Sequence, residues 1–218
     1  MSNPLNHIAI IDYGMGNLHS VSKALQHVGE NVKISVTADP TVINSADRVV
    51  FPGVGAIGDC MSEILRLDIG NILKNCIHHK PVLAICVGMQ SLLEHSEESG
   101  GVDCLKIVPG KVRQFDHHNT GPSGDKIKVP HMGWNAVEQC ADHPLWNGIE
   151  QYSRFYFVHS YYAEAQGNTH TAAYCDYGIK FAAAMSYENL FAVQFHPEKS
   201  AKSGLQLLRN FSNWVVQS

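Results

Sequence analysis

One short segment, residues 81–90 (PVLAICVGMQ), constrains the fold of this 218-residue chain more than any other. Four apolar residues after Pro81, two of them β-branched, predict a buried strand, and apolar residues recur at helical spacing from Met89 onward. Cys86 is therefore predicted to occupy a sharp strand-to-helix turn, where unpaired N–H groups and the helix dipole favour a reactive thiolate. A buried structural cysteine is the alternative, and the segment alone does not decide between the two.

A second segment, residues 191–198 (FAVQFHPE), favours the reactive cysteine. It alternates like a strand, and side chains two residues apart on an extended chain project to the same side, so His196 and Glu198 can act together. Pro197 cannot donate to a strand ladder, which places both side chains at the rim of the sheet. A thiol, an imidazole and an orienting carboxylate make a nucleophilic triad. The alternative is a surface histidine that happens to lie beside a surface glutamate.

Several motifs carry a resemblance to a known family. They are AICVGMQ around Cys86, HPE at His196, DYGMGNL from Asp12, KVPHMGWN from Lys128 and FYFVHSY from Phe155. Together they resemble the triad-type (class I) glutamine amidotransferases, and within that family the glutaminase subunits of imidazole glycerol phosphate synthases, which serve histidine biosynthesis. The resemblance runs nearly end to end. Ala84 departs from it, because the family usually carries glycine there, and its extra methyl group bears on the tightness of the turn.

Hydrophobic periodicity predicts an α/β fold. In the first half, strands at 7–11, 32–36 and 48–51 alternate with helices, among them one packing through residues 64, 65, 69, 72, 73 and 77, which indicates a parallel doubly wound sheet. Short strand-like pieces follow at 108–115, 128–138, 155–163, 171–174 and 181–185, and they predict antiparallel additions at the sheet edge. A polar loop is predicted at 116–125, and a last helix at 203–216 with one packing face: Gly204, Leu207, Leu208, Phe211, Trp214 and Val215. We expect one domain over residues 1–218, with the mostly parallel central sheet and flanking helices of a class I glutamine amidotransferase.

Two glycine-containing turns are candidates for binding. The third strand ends in Pro52-Gly53-Val54-Gly55, whose backbone N–H groups could form an oxyanion hole together with that of Val87; a plain tight connection is the alternative. The family resemblance favours the oxyanion role. A Gly14-x-Gly16 turn lacks the third glycine of a dinucleotide-binding motif, because His19 stands in its place, and a turn followed by a helix start explains it better.

The resemblance further implies residues that bind the substrate and a partner. It places Gln90, Glu98, His159, Ser160 and Tyr161 on bound glutamine, although Glu98 also fits a solvated run of charges. It implies that ammonia passes to a separate cyclase subunit of (β/α)₈ form, which joins this chain in a heterodimer. The candidate interface residues are Asn17, Trp134, Tyr156 and Lys199, each of which could instead be a packing or surface residue.

Composition excludes several classes of function. The formal net charge of −4 and the lack of a basic block disfavour binding to nucleic acid or a membrane surface. The six cysteines form no CxxC pair, which is typical of reduced cytoplasmic thiols, and no apolar run is long enough to span a membrane. The 13 histidines show no metal-ligand spacing. We therefore expect a cytoplasmic protein without a metal ion or an organic cofactor.

The family resemblance, together with the candidate triad, implies hydrolysis of glutamine to glutamate and ammonia, with Cys86 as nucleophile, His196 as acid and base, and Glu198 orienting the imidazole. The ammonia would serve the cyclase subunit that makes imidazole glycerol phosphate. Two alternatives remain at this stage. One is a glutaminase subunit serving another acceptor, such as a sugar, and the other is a cysteine hydrolase or a catalytically silent binding module on the same fold.

Overall fold

The computed structural model describes residues 5–116, 120, 126–164 and 169–216, so most of the polar loop predicted at 116–125 lies outside the described residues. Strands and helices alternate through the first half. The elements are β1 (Asn6–Ile11), α1 (Leu18–Val28), β2 (Val32–Thr37), α2 (Pro40–Ser45), β3 (Arg48–Gly53), α3 (Ile57–Arg66), α4 (Ile69–His79), β4 (Val82–Cys86) and α5 (Val87–Ser91).

The second half is built mainly from strands. They are β5 (His95–Ser96), β6 (Val102–Asp103), β7 (Lys111–Gln114), β8 (His131–Ala136), β9 (Glu138–Gln139), β10 (Arg154–His159), β11 (Tyr161–Glu164), β12 (Thr171–Asp176), β13 (Lys180–Tyr187) and β14 (Leu190–Val193). A 3₁₀ turn (Pro197–Lys199) follows β14, and the last helix is α6 (Ala201–Asn213).

The main sheet combines a parallel and an antiparallel part. Its order is β2-β1-β3-β4-β14-β13-β11-β7-β5-β6, with β12 paired to β13 and β9 paired to β12. The first five strands are parallel, whereas β13 runs antiparallel to β14, β11 and β12. The predicted fold class is therefore confirmed: a mostly parallel central sheet carries antiparallel strands contributed by the second half.

Strand direction brings distant parts of the chain to one edge of the sheet. Every residue of β4 is buried, as expected for a central parallel strand, and β4 lies between β3 and β14. Gly53 at the end of β3 pairs with Cys86 at the end of β4, and Val193 at the end of β14 pairs with Ile85. Because the three strands are parallel, the segments that follow them emerge side by side. Ligands of open α/β sheets bind at this edge.

The helical segment predicted through residues 64–77 is divided into α3 and α4. Asp68 separates the two helices in a left-handed conformation, with φ of 55°. Leu65, expected in the packing face, is 68% exposed because it lies on the outer side of α3, whereas Ile64 is fully buried. The spacing fitted one continuous helix because both helices place apolar residues on the sheet at similar intervals.

The predicted last helix was wrong at both ends. It begins at Ala201 rather than 203 and ends at Asn213, so Val215 lies beyond it and is 75% exposed. Trp214 stays buried after the helix has ended. Arg48 accounts for the position of this end, because its guanidinium donates to the carbonyl oxygens of Phe211 and Trp214 at 3.0 and 2.8 Å.

The strand predicted at 155–163 is two strands in different sheets. β10 pairs with β8 in a separate two-stranded antiparallel sheet, and the chain joins the main sheet after Ser160, where β11 pairs with β7. Apolar alternation continues across this break, so periodicity could not reveal it. The exchange of sheets places Ser160 and its neighbours at the mouth of a cavity.

Candidate active site

A cavity of about 550 Å³ opens at the carboxyl ends of β3, β4 and β14. It collects residues from both halves of the chain, many of them predicted from the sequence. The lining residues are Asn17, Val54, Gly55, Cys86, Val87, Gln90, Glu98, Pro130, Val158, His159, Ser160, Tyr161, His196 and Lys199.

Cys86 occupies a strained turn between β4 and α5. Its φ of 55° and ψ of −113° lie outside the regions that residues with a Cβ normally adopt. A sharp turn of this kind is how a nucleophile is presented at the top of a sheet. Gly88 makes the turn possible, because a Cβ at that position would lie 2.2 Å from the carbonyl oxygen of Phe51. Backbone strain and close packing together fix the position of the sulfur.

Ala84, the departure from the family pattern, fits without disturbing this turn. Its side chain is fully buried, and the residue pairs with Phe51 of β3 and Ala192 of β14 in unbroken register. The extra methyl group therefore lies inside the sheet, two residues before the nucleophile. The crowded position is Gly88, on the other side of Cys86.

His196 and Glu198 form a buried pair beside the cavity. Nδ1 of His196 lies 2.8 Å from Oε1 of Glu198, and the two side chains are 3% and 1% exposed. The pair does not form as the sequence predicted, because β14 ends at Val193 and Glu198 lies in the 3₁₀ turn rather than on an extended chain. Asn17 donates to the same carboxylate oxygen at 3.4 Å.

Hydrogen bonds to neighbouring strands hold the segment that carries this pair. The backbone N–H of His196 donates to the carbonyl oxygen of Tyr156 at 2.9 Å, and the hydroxyl of Ser200 donates to the carbonyl oxygen of His196 at 2.6 Å. The same hydroxyl accepts from the backbone N–H of Tyr156 at 3.0 Å. β10 therefore fixes the histidine from one side while the parallel sheet fixes Cys86 from the other.

The surroundings of His196 favour its protonated form. Burial by itself lowers the pKa of this imidazole, but its hydrogen bonds with Cys86 and Glu198 and the negative charges of those groups outweigh burial and raise the pKa to about 10. Glu198 keeps its second oxygen, Oε2, buried without a hydrogen bond among the described residues. The carboxylate is thus directed mainly at the histidine, as an orienting group requires.

The glycine-rich end of β3 lies against the turn at Cys86. A Cβ at Gly53 would lie 2.6 Å from the backbone nitrogen of Gly88, so only glycine fits there. Two side chains hold carbonyl groups at and just after the end of this strand: the hydroxyl of Tyr13 donates to Pro52 at 2.9 Å, and the thiol of Cys60 donates to Val54 at 3.5 Å. Val54, Gly55 and Val87, the other predicted oxyanion residues, line the cavity.

All five predicted glutamine contacts line the same cavity. Glu98 accepts from the backbone N–H of Ile57 at 3.3 Å, and burial raises the pKa of its carboxyl. The amide nitrogen of Gln90 donates to the carbonyl oxygen of Tyr161 at 2.9 Å. His159 is held neutral, because burial and the neighbouring His131 lower its pKa to about 3.

Two buried polar residues beside the cavity, Gln194 and His131, are not among the candidates predicted from the sequence. Gln194 lies 3.8 Å from the sulfur of Cys86, and His131 lies 3.0 Å from His159 between their ring nitrogens. His131 lies within the KVPHMGWN motif and Gln194 within the segment 191–198, but neither position is assigned a role from the sequence. The available signal was the position of Gln194, a polar residue within the buried segment 191–195 and two residues before His196.

The predicted interface residues divide into two groups. Asn17 and Lys199 line the cavity, whereas Trp134 and Tyr156 lie on the neighbouring β8–β10 sheet, with ring centroids 6.2 Å apart. Trp134 is 41% exposed, and Met132 on the same strand is 62% exposed. An apolar surface therefore adjoins the β10 side of the cavity.

Within the described part of the chain, no three histidine, cysteine, aspartate or glutamate side chains are placed to hold a metal ion together. Over the same residues, no helix is long and apolar enough to cross a membrane. The histidine pair at 117 and 118 lies outside the described residues.

The sequence pattern of the family "Glutamine amidotransferase class-I" matches residues 9–214, and the chain belongs to that family. Its curated relatives narrow the comparison. The chain is 57% identical over 207 residues to the imidazole glycerol phosphate synthase subunit HisH of Pseudomonas putida, covering 95% of this chain and 97% of that one. It is 55% identical over 213 residues to the protein of the same name from Acinetobacter baylyi, covering 97% and 100%.

Solved structures of lower sequence identity share the fold. One is a protein from Thermoplasma acidophilum described as part of a putative GMP synthase. It superposes with a TM-score of 0.71 at 20% identity, covering 97% of this chain and 94% of that one. At this identity the similarity concerns the fold alone.

Proposed function

We propose that this chain hydrolyses the side-chain amide of glutamine as the glutaminase subunit of an imidazole glycerol phosphate synthase, in histidine biosynthesis. The observation that carries the proposal is the meeting of Cys86 and His196 in one cavity, with Glu198 2.8 Å behind the imidazole. A strained cysteine turn with a charge-stabilised histidine is suited to acyl transfer. The relatives that bear the synthase subunit name match nearly the whole chain, which favours this role over a related subunit with another acceptor.

The reaction begins with attack of the Cys86 sulfur on the amide carbon of glutamine. The developing negative charge on the carbonyl oxygen would be stabilised by backbone N–H groups of the Gly53–Gly55 segment and of Val87. His196 then donates its proton to the leaving nitrogen, the C–N bond breaks, and ammonia departs from the tetrahedral intermediate, which leaves a thioester on Cys86. The same imidazole next removes a proton from water, which attacks the thioester and releases glutamate.

Glu198 keeps the imidazole in the orientation that both steps need. Because Nδ1 of His196 is committed to the carboxylate, Nε2 is left to exchange the proton with the reacting atoms. The buried carboxylate also stabilises the imidazolium that forms when Cys86 ionises. This division of roles needs no metal ion and no organic cofactor.

Binding of glutamine would use other residues that line the same cavity. Gln90 commits both N–H bonds of its amide to protein acceptors, so its amide oxygen remains to accept from the substrate. Glu98, half-buried at the cavity, supplies a carboxylate for the substrate ammonium group. His159, Ser160 and Tyr161 complete this set where the chain passes between the two sheets.

The ammonia would be used by another protein chain. We infer that a cyclase subunit of (β/α)₈ form docks on the exposed surface around Met132 and Trp134, with Tyr156 and Lys199 at its border, and that the two chains form a heterodimer. Support comes from the relatives' names, which describe a synthase subunit, and from the exposure of this apolar surface beside the cavity.

The cysteines of the described residues are all unpaired, which suits the cytoplasm.

Replacement of the nucleophile tests this proposal. Cys86→Ala should abolish glutamine-dependent turnover of the reconstituted complex while ammonia-dependent turnover persists, because only the glutaminase chemistry is lost. Glutamate release and cyclised product are measured separately. Cys140→Ala is the matched control, because Cys140 is exposed and does not line the cavity. Glutamine hydrolysis by Cys86→Ala above a few per cent of the unmodified rate would contradict the assignment.

A further inference from the structure

Gln194 has no part in the mechanism above, yet it lies against the nucleophile. Its side chain is fully buried, and its amide nitrogen lies 3.8 Å from the sulfur of Cys86, within hydrogen-bond range for sulfur. The backbone N–H of Gln194 donates to the carbonyl oxygen of Ala183 at 2.9 Å, which anchors the residue beside the sheet. A fully buried amide beside a nucleophilic sulfur can change how readily that sulfur ionises.

The hydrogen bonds around Gln194 fix which end of its amide faces the sulfur. The carbonyl oxygen of Tyr161 can only accept, so the group that meets it must be the amide nitrogen of Gln90. The same nitrogen lies 2.9 Å from the amide of Gln194 and donates to its oxygen. With its oxygen committed there, Gln194 presents its N–H bonds to Cys86. The carbonyl oxygen of Tyr161 therefore determines the donor and the acceptor in each hydrogen bond of this series, which runs through Gln90 and Gln194 to Cys86.

The other polar groups near the sulfur are occupied elsewhere. The hydroxyl of Tyr13 donates to Pro52, and the thiol of Cys60 donates to Val54. Burial raises the pKa of both groups, that of Cys60 to about 11, so both are neutral near pH 7. Among the described residues, His196 and Gln194 therefore remain as the side chains that donate to the sulfur.

We propose that Gln194 is a further catalytic residue, whose amide N–H donates to the Cys86 sulfur and stabilises it as the thiolate. The inference rests on the proposed function of Cys86 as nucleophile. A neutral amide suits this task, because it stabilises negative charge on sulfur but cannot take part in the proton transfers that His196 performs. Gln90 acts through Gln194 as a positioning residue.

The test measures how the alkylation rate of Cys86 depends on pH, because only the thiolate reacts with iodoacetamide. Gln194→Met keeps the length of the side chain but donates no hydrogen bond. It should raise the pH of half-maximal alkylation by about 1 pH unit, because losing a hydrogen bond to a charged group destabilises that charge by an amount that corresponds to roughly one pKa unit. Gln194→Leu also removes the donor and adds no charge, so a rise of the same size is expected. The second variant decides the question if the first fails to fold.

Two controls accompany this experiment. Cys140 is exposed, so its alkylation in the same samples, mapped by mass spectrometry, serves as an internal reference that neither variant should change. Gln206→Met makes the same chemical change on α6, where the amide bonds to Asn210, and should leave the Cys86 profile unchanged. A purely structural role for Gln194 would lower the unfolding temperature without moving the Cys86 profile.

A double-variant comparison tests the role of Gln90. Gln90→Met frees the amide of Gln194 to rotate and should raise the pH of half-maximal alkylation by less than Gln194→Met does. In the Gln194→Met background the same change should add nothing, because no donor is left to orient. Equal additive shifts would overturn the positioning role of Gln90.

The proposal fails if neither Gln194 variant moves the Cys86 profile by more than about 0.3 pH units. That failure is distinct from failure of the proposed function. If Cys86 were not the glutaminase nucleophile, a glutamine-mimicking chloroketone would not label it in the unmodified protein. Labelled Cys86 with an unmoved profile would overturn the role of Gln194 alone.

Discussion

His196 and His159 line the same cavity, and both are almost completely buried, yet their pKa values are shifted in opposite directions. Burial lowers the pKa of both imidazoles. His196 overcomes this effect because it contacts a thiol and a carboxylate, which raise its pKa to about 10. His159 has a second histidine and a backbone carbonyl as partners, and its pKa falls to about 3.

Burial acts on both imidazoles in the same direction, so the difference between their pKa values comes from their partners. His159 needs to be neutral in its network: its Nδ1–H donates to the carbonyl oxygen of Tyr161 at 2.7 Å, so its Nε2 accepts from Nδ1–H of His131. Proton transfer therefore depends on the ionisable pair of Cys86 and His196. The hydrogen bonds of His159 with His131 and Tyr161 join neutral groups, and they hold these residues in place without exchanging protons near neutral pH.

The largest expected effect is on stability as the pH falls. His131, His143 and His159 have pKa values of about 4, 4 and 3 in the folded protein, against about 6.5 when unfolded. Between about pH 6 and pH 4.5 the unfolded chain therefore binds more protons, and the free energy of unfolding should fall by on the order of 3–4 kcal/mol per pH unit.

Above neutral pH, the free energy of unfolding should depend on His196, whose pKa is shifted upward rather than downward. The folded pKa of His196 is raised, so its stabilisation is complete below about pH 6.5 and is lost as the pH rises toward 10, by about 1 kcal/mol per pH unit. Urea unfolding across pH 4.5 to 10 measures both slopes. A free energy of unfolding that stayed constant below pH 6 would contradict the neutral state of the buried histidines.

A smaller effect, on catalysis, is expected when the carboxylate partner of His196 is neutralised. Glu198→Gln should lower kcat for glutamine by roughly 10- to 100-fold, because the amide orients the ring less well and no longer stabilises the imidazolium. Steady-state kinetics over a range of pH measure the change. Glu164→Gln is the matched control, because Glu164 pairs with Arg113 on the surface. Kinetics like those of the unmodified protein would reduce the triad to a cysteine–histidine dyad.

The smallest effect is expected from a change to His131, which donates to the neutral His159. His131→Phe keeps an aromatic ring between Phe157 and Tyr177 but leaves Nε2 of His159 without its donor. The free energy of unfolding should fall by about 1–2 kcal/mol, the usual cost of an unsatisfied buried acceptor. The kcat for glutamine should stay within about twofold. Urea unfolding and kinetics on one preparation separate the two, and a tenfold loss of kcat at unchanged stability would contradict the assignment.

Much of the fold could be predicted because its signals are local. The strand before Cys86 and the helical spacing after it lie within a few residues of each other, and the structure places a strained turn between them. An aspartate followed by a proline is typical of a helix start, and the Asp39 side chain caps α2 by accepting from the N–H of Thr41. Helix ends were less certain: Val215 was assigned to a helix that stops at Asn213, where contacts with the distant Arg48 decide the boundary.

Three local segments of the amino-acid sequence specify the chemistry available to this chain: a cysteine at a strand-to-helix turn, a His-Pro-Glu segment and glycines at the end of a third strand. Tertiary structure decided how these groups act on one another. Parallel strands bring Gly53, Cys86 and the His196 segment to one edge, and an exchange between two sheets supplies other residues that line the same cavity. The approach of Gln194 to Cys86, across 108 residues of sequence, follows from packing between strands and leaves no periodic trace. Charge was decided in the same way, because a histidine's pKa depends on neighbours that only the folded chain brings together.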